Sequence, residues 1–265
     1  MFGALEPFVG VPRGALQLET WIPPNRVHPK SPCSACAARQ RCLPSRLSAN
    51  ELERVDRQLV HARCTIGTAE SLYRAGDRFG AIFAIQSGFF KRTAVLNEGD
   101  ERITGLYLPG DILGVEGISS YEHPCNAVAL ETGEVCIIPF VTLEDLAHQV
   151  PAVQRGLHRA LSRQIARDHT FLMSLLSLSS EGRLAAFLLN LSERFTEDGR
   201  PPGELRIPLA RADIAGFLGL GEETVSRRFS ALRRKGLIRV HGRTVQILEP
   251  EGLRGRIRRR AGSGG

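Results

Sequence analysis

The sequence predicts an α+β fold in three parts: a small all-β roll, one long helix and a C-terminal module of helices and a hairpin. Three observations predict it. Glycine turns at Gly76, Gly88, Gly99 and Gly110 recur about every eleven residues within 63–140, and short β-rich runs such as "AIFAIQ", "ITGLYL" and "AVALE" lie between them. Residues 151–178 then carry helical periodicity with Pro151 at the start, where proline fits a helix. Finally, the last 65 or so residues read as strand, helix, glycine turn, helix and hairpin.

Residues 1–32 are rich in Pro and Gly, without periodicity, and are expected to form a flexible arm. Residues 33–150 are expected to hold a cysteine segment and the roll. Ser48, with Glu51 three positions on, marks a capped helix start, and Leu52, Val55 and Leu59 follow at helical spacing. In the long helix, Leu161, Ile165, Asp168, Leu172 and Leu175 follow a 4-3-4-3 pattern, the spacing of a coiled-coil seam. Asp168 is the polar member of that seam. Two such carboxylates meeting across a homodimer resist joint ionisation and weaken association. The dimer is thus expected to be marginal, and Asp168, Ile165, Leu161 and Leu172 are the candidate dimer switch.

Residues 179–265 are expected to form the last module and a basic tail. A helix over 181–197 carries Leu184, Phe187, Leu188 and Leu191 on one face. "ELRIPL" reads as a strand, "ARADIAGFLGL" as a helix ended by Gly219, and "EETVSRRFSALRRKG" as a longer helix stopped at Gly236. "LIRV", a turn and "VQIL" close a hairpin. This order is a winged helix-turn-helix. Glu223, Ser226 and Arg227 fall on one face of the first turns of the second helix, the part that enters a major groove. Arg grips guanine, Glu accepts from cytosine N4, and Ser adapts to either. Arg228 follows as a candidate phosphate contact.

Charge points the same way. The net charge is +7, and residues 201–265 hold 14 Lys and Arg against 6 Asp and Glu. A basic module on a nearly neutral body suits a polyanion, here double-stranded DNA. No apolar run approaches the roughly 18–20 residues that span a bilayer, and the N-terminus lacks a secretory signal, so a cytoplasmic protein without a membrane partner is expected. No nucleophile–base pair, phosphate-binding glycine loop or paired catalytic carboxylates appear, so no enzyme is expected.

In that compartment clustered cysteines are more often metal ligands or redox groups than disulfides. Cys33, Cys36 and Cys42 supply three thiols within ten residues, and a four-thiolate site needs one more. Spacing alone does not separate zinc from iron–sulfur.

The whole order, with "LYRAGD", "ITGLYLPGDILG", "ALETGEVCIIPFVTLEDL", "RLAAFLLNLSERF" and "LGLGEETVSRRF", resembles the CRP/FNR superfamily of bacterial regulators, and its oxygen-sensing FNR branch in particular. The resemblance implies a cyclic-nucleotide-binding-like jelly roll for the β part, and a 4Fe-4S cluster on Cys33, Cys36, Cys42 and Cys136. It implies that oxygen converts the cluster to 2Fe-2S and releases the protein from a palindromic operator with TTGAT-like half-sites. An Asp at the place of Asp168 and contact with RNA polymerase, with the turn at 97–99 a candidate, are implied as well. Cys125 is the rival fourth ligand, and Cys64 and Cys125 are expected to be small buried hydrophobes. The competing possibility is a structural zinc site on the same cysteines without oxygen sensing.

Two residues depart from the branch. Arg41 stands before Cys42, where an apolar residue is expected, and a cation there would favour the assembled, negatively charged cluster. Glu222 occupies a recognition-helix position that is usually apolar. Cyclic nucleotide is not expected as a ligand: from Ile103 to Gln154 there is no Lys or Arg, while seven carboxylates are present.

Overall fold

The computed structural model describes residues 26–29, 31–95, 101–197 and 199–258. Two antiparallel sheets form the roll. One has the order β1 (Val27–His28), β2 (Ala62–Ile66), β9 (Gly133–Pro139), β4 (Ala81–Ser87), β7 (Ile112–Leu113). The other runs β3 (Ser71–Tyr73), β8 (Asn126–Ala129), β5 (Phe90–Val95), β6 (Glu101–Tyr107). Alternation on each strand turns one set of side chains inward. Phe83, Ile85, Phe90, Leu113, Val135 and Ile137 thus fill the interior.

A second core lies on the outer face of the first sheet. There Ile82 and Ile138 meet Val55 of α1 (Ala49–Gln58), Leu143 and Leu146 of α2 (Phe140–Gln149) and Val153 at the start of α3 (Pro151–Ser177). The capping box at Ser48 and Glu51 is formed, and it fixes where α1 begins.

The third core belongs to the C-terminal module. It comprises α4 (Ser180–Glu197), β10 (Glu204–Arg206), α5 (Arg211–Leu218), α6 (Glu222–Arg234), β11 (Ile238–His241), β12 (Thr244–Ile247) and α7 (Pro250–Arg258). Leu184, Leu188, Leu191 and Phe195 on one stripe of α4 pack on Val225, Phe229 and Leu232 of α6. Phe89 and Leu108 from the roll enter the same core, so the two parts share packing.

Three expectations need correction. The arm over 1–32 is not wholly irregular: β1 pairs with β2, Val27 opposite Cys64, and residues 1–25 lie outside the described residues. Helix α2 was not anticipated, because its ten residues follow directly on a strand without a turn signal. Part of the expected basic tail is α7, which packs on α4 and whose Leu253 is fully buried in the same core. Burying one leucine contributes about 1.5–3 kcal/mol, enough to hold a short basic helix down. The remainder of the tail and the turn at 97–99 lie outside the described residues.

Candidate metal centre and nucleic-acid interface

Two short 3-10 turns, Cys33–Ala35 and Ala37–Arg41, fold the cysteine segment back on itself. The Cys36 amide donates to the Cys33 carbonyl at 3.2 Å, and the Cys42 amide to the Ala38 carbonyl at 3.2 Å. On β9 the period of two sends Val135 and Ile137 into the roll and Cys136 and Ile138 out of it. Cys136 is in register between Arg63 of β2 and Ala84 of β4, at the centre of the sheet. Cys33, Cys36, Cys42 and Cys136 line one pocket there, with Leu59, Val60 and Ile138 among its walls.

The thiols feel one another. Burial pushes the Cys33 thiol up to about 12, and Cys136, Asp56 and Cys36 add to the effect. Burial pushes Cys136 up to about 11, Cys36 adds to this, and the Arg63 guanidinium offsets part of it. Cys42, the deepest, is raised further by burial and then by Cys33. Thiolates crowded in an apolar pocket need cationic charge among them, so the donor set fits an iron–sulfur core or a metal ion. Among the described residues no three His, Cys, Asp or Glu side chains converge on a point where one ion would sit.

The other two cysteines lie elsewhere. Cys64 and Cys125 are buried inside the roll. Cys125 is more than a small hydrophobe, because its thiol donates to Glu116 Oε1 at 3.1 Å. Tyr73 donates its hydroxyl to the same oxygen, and its ring stacks on His123 at 3.8 Å. Desolvation and the Glu116 charge hold Tyr73 well above the ordinary phenol range.

The roll does hold a cation close to its interior carboxylate. Arg92 on β5, outside the span 103–154, stacks over Tyr107 at 5.5 Å and acts electrostatically on Glu116 and Cys125. The Arg41 guanidinium reaches the Arg194 carbonyl of α4 at 3.4 Å, and the Arg63 guanidinium acts on Cys136.

Along α3, Ile165 is 68% exposed, Leu172 51% and Leu176 68%, while Leu161 is half-buried. These residues form an apolar stripe open on one side. Asp168 lies on it and pairs with Arg92 at 3.7 Å, while Arg167 pairs with Asp111 at 3.0 Å. Burial raises the Asp168 carboxyl, and Arg92 and Arg167 draw it back.

In the C-terminal module, Gly219 ends α5 in the left-handed region at φ +61°. Arg183 of α4 donates to the Leu218 carbonyl at 3.1 Å, placing a cation at that helix end. This fixes the turn into α6. Sequence reasoning missed Arg183, whose role is visible only once α4 and α5 pack. Glu222 and Glu223 fall in the first turn of α6, where the helix dipole favours them. Glu223, Ser226 and Arg227 are exposed on one face, with Glu223 and Arg227 paired at 3.6 Å. Arg228 departs from them. It lies one residue round the helix, and its Nε donates to Ser180 Oγ of α4 at 2.9 Å.

A Crp-like helix-turn-helix domain matches residues 182–256, and a cyclic nucleotide-binding domain matches residues 64–150. The chain is 38% identical over 221 residues to the fumarate and nitrate reduction regulatory protein of Yersinia pestis, covering 83% of this chain and 88% of that one. It is 37% identical over 224 residues to the transcriptional activator protein anr of Pseudomonas aeruginosa, covering 84% and 91%. Among solved structures, FixK2 from Bradyrhizobium japonicum superposes with a TM-score of 0.67 at 25% identity, covering 73% of this chain and 96% of that one.

Proposed function

The chain belongs to the family of fumarate and nitrate reduction (FNR) regulators, DNA-binding transcription regulators of the CRP/FNR type, and from that premise we propose that it senses oxygen through a 4Fe-4S cluster held by Cys33, Cys36, Cys42 and Cys136. One observation carries the reading: four thiols, three from one segment and the fourth from the middle of a distant strand, line a single pocket. The four sulfurs share the pocket with apolar walls at Leu59, Val60 and Ile138 and with the polar side chains of Ser31, Arg39 and Gln86.

Held by Cys33, Cys36, Cys42 and Cys136, such a cluster would supply an oxygen-labile redox core. The protein's own residues do the rest. Ile165, Leu172 and Leu176 give α3 an apolar face for a second copy, and Asp168 makes that contact marginal. A modest contribution from the cluster site then tips the monomer–dimer balance. The dimer sets two α6 helices one helical turn of DNA apart, about 34 Å, for a palindromic operator with TTGAT-like half-sites. Glu223, Ser226 and Arg227 read base edges there. RNA polymerase is the further partner expected of the DNA-bound dimer.

The test is anaerobic purification with an absorbance spectrum and an iron and sulfide count, followed by air. A brown protein with about four iron and four sulfide per chain that bleaches in air and then leaves operator DNA is expected. A colourless protein with one zinc per chain, binding DNA equally with and without oxygen, would overturn the reading.

A further inference from the structure

Residues 41–43, which carry the chain away from the cysteine segment, are clasped from two sides. On one side lies the turn at Gly110, with φ +89°, where a Cβ would stand 2.7 Å from the Arg41 Cβ. On the other side lies α3, where a Cβ on Gly156 would stand 2.3 Å from the Leu43 carbonyl oxygen. No side chain fits either place without moving backbone. Glycine inside a helix costs about 1 kcal/mol relative to alanine, so its use at 156 goes with a contact that demands it.

Polar contacts tie the same pieces together. Arg163, two turns along α3 from Gly156, donates Nη2 to the Arg41 carbonyl at 2.8 Å. The Arg41 guanidinium reaches the Arg194 carbonyl of α4. Asp111, beside Gly110, pairs with Arg167 of α3 and with Arg194 of α4. Leu43 itself is buried in the core between the roll and the helices.

We propose that Gly156 and Arg163 are positioning residues that couple Cys42 to α3: the backbone of 41–43 is wedged between the Gly110 turn and α3, so a shift of Cys42 moves the helix that carries the dimer stripe. A close-packed contact passes on a displacement that a loose one absorbs. The inference rests on Cys42 being a cluster ligand, as proposed above.

The experiment measures dimer dissociation by sedimentation equilibrium for the full chain, cluster-loaded under anaerobic conditions and cluster-free after chelation. The ratio of the two dissociation constants is the coupling. Gly156→Ala and Arg163→Met are expected to take up the cluster normally by absorbance and iron count, while their coupling falls by about tenfold and about threefold respectively. Arg163→Lys, which keeps a donor for the Arg41 carbonyl, is expected to restore most of the loss.

Coupling within about twofold of the parent in both variants overturns the proposal. So does failure of both to load the cluster, which would make the wedge a holder of the cluster and not its transmitter. Should Gly156→Ala not fold, Arg163→Met with its Lys rescue decides. Equal dissociation constants for the loaded and cluster-free parent would instead overturn cluster control itself, and that arm is read first.

Discussion

Cys136 and Cys125 lie eleven residues apart in one β-roll and face opposite ways. Cys125 points into the roll, onto a carboxylate already engaged by Tyr73. Cys136 points out of it, into a pocket with three other thiols. The interior of the roll is filled by aliphatic and aromatic side chains around the hydrogen-bonded group of Glu116, Tyr73 and Cys125. The outer face holds the four-thiol pocket and packs on the start of α3, the helix with the exposed apolar stripe. In this chain the face that can report on a bound group is the one in contact with α3, so which side a cysteine takes decides what it can do.

The largest effect expected from that comparison is a pair of single substitutions. Cys136→Ser should lose the cluster and oxygen-dependent operator binding entirely, reading as near-zero iron and a colourless protein after anaerobic purification. Cys125→Ser should keep both, at a stability cost of about 1 kcal/mol for a perturbed buried hydrogen bond. A Cys125→Ser protein without iron, beside a Cys136→Ser protein with it, would exchange their roles.

Next in size is Asp168→Ala. Removing both carboxylates from the seam should let the cluster-free protein dimerise and bind operator DNA in air. The measurement is sedimentation with a DNA-binding assay, and a variant that stays monomeric without cluster would remove Asp168 from the switch. Smaller again is Glu116→Gln. It leaves Tyr73 and Cys125 with a weaker acceptor, so unfolding stability should drop by about 1–2 kcal/mol while iron per chain stays at the parent value. A loss of iron there would mean that the interior cluster and the outer pocket are one site.

Much of this was legible in the sequence, unevenly and for physical reasons. The helix-turn-helix was readable because its signals are local: Gly219, Gly236 and the face of Glu223, Ser226 and Arg227 lie within a few turns of one another. The cysteine segment was readable as a metal-type motif for the same reason. The fourth thiol was not readable from spacing, since Cys136 arrives by sheet pairing with Arg63 of β2 and Ala84 of β4, more than fifty residues away in each case. Resemblance to a family named it, and the strand register brings it to the other three. The contact of the Arg41 guanidinium with the Arg194 carbonyl was not readable, because sequence shows what stands beside a cysteine and not where its side chain goes. Gly156 was passed over, although a glycine inside a long helical pattern is a signal of close backbone approach.

The smallest expected effect concerns Arg92, where the interior and outer regions meet. Its guanidinium stacks over Tyr107, its Nε donates to Thr104 Oγ1 at 3.1 Å, and it pairs with Asp168 on α3 at 3.7 Å. It therefore faces the interior carboxylate of Glu116 and the seam carboxylate together. Arg92→Gln should lower unfolding stability by about 1 kcal/mol and weaken the loaded dimer several-fold, because Asp168 loses a cation that neutralises it. Asp168 is half-exposed, although Arg92 is largely buried, so their own coupling should be about 0.5–1 kcal/mol. A double-mutant cycle with Asp168→Ala isolates it: once the carboxylate is gone, Arg92→Gln should no longer affect the dimer while still lowering stability. A zero coupling in dimerisation would confine Arg92 to the roll interior and leave the two faces of the roll electrically independent.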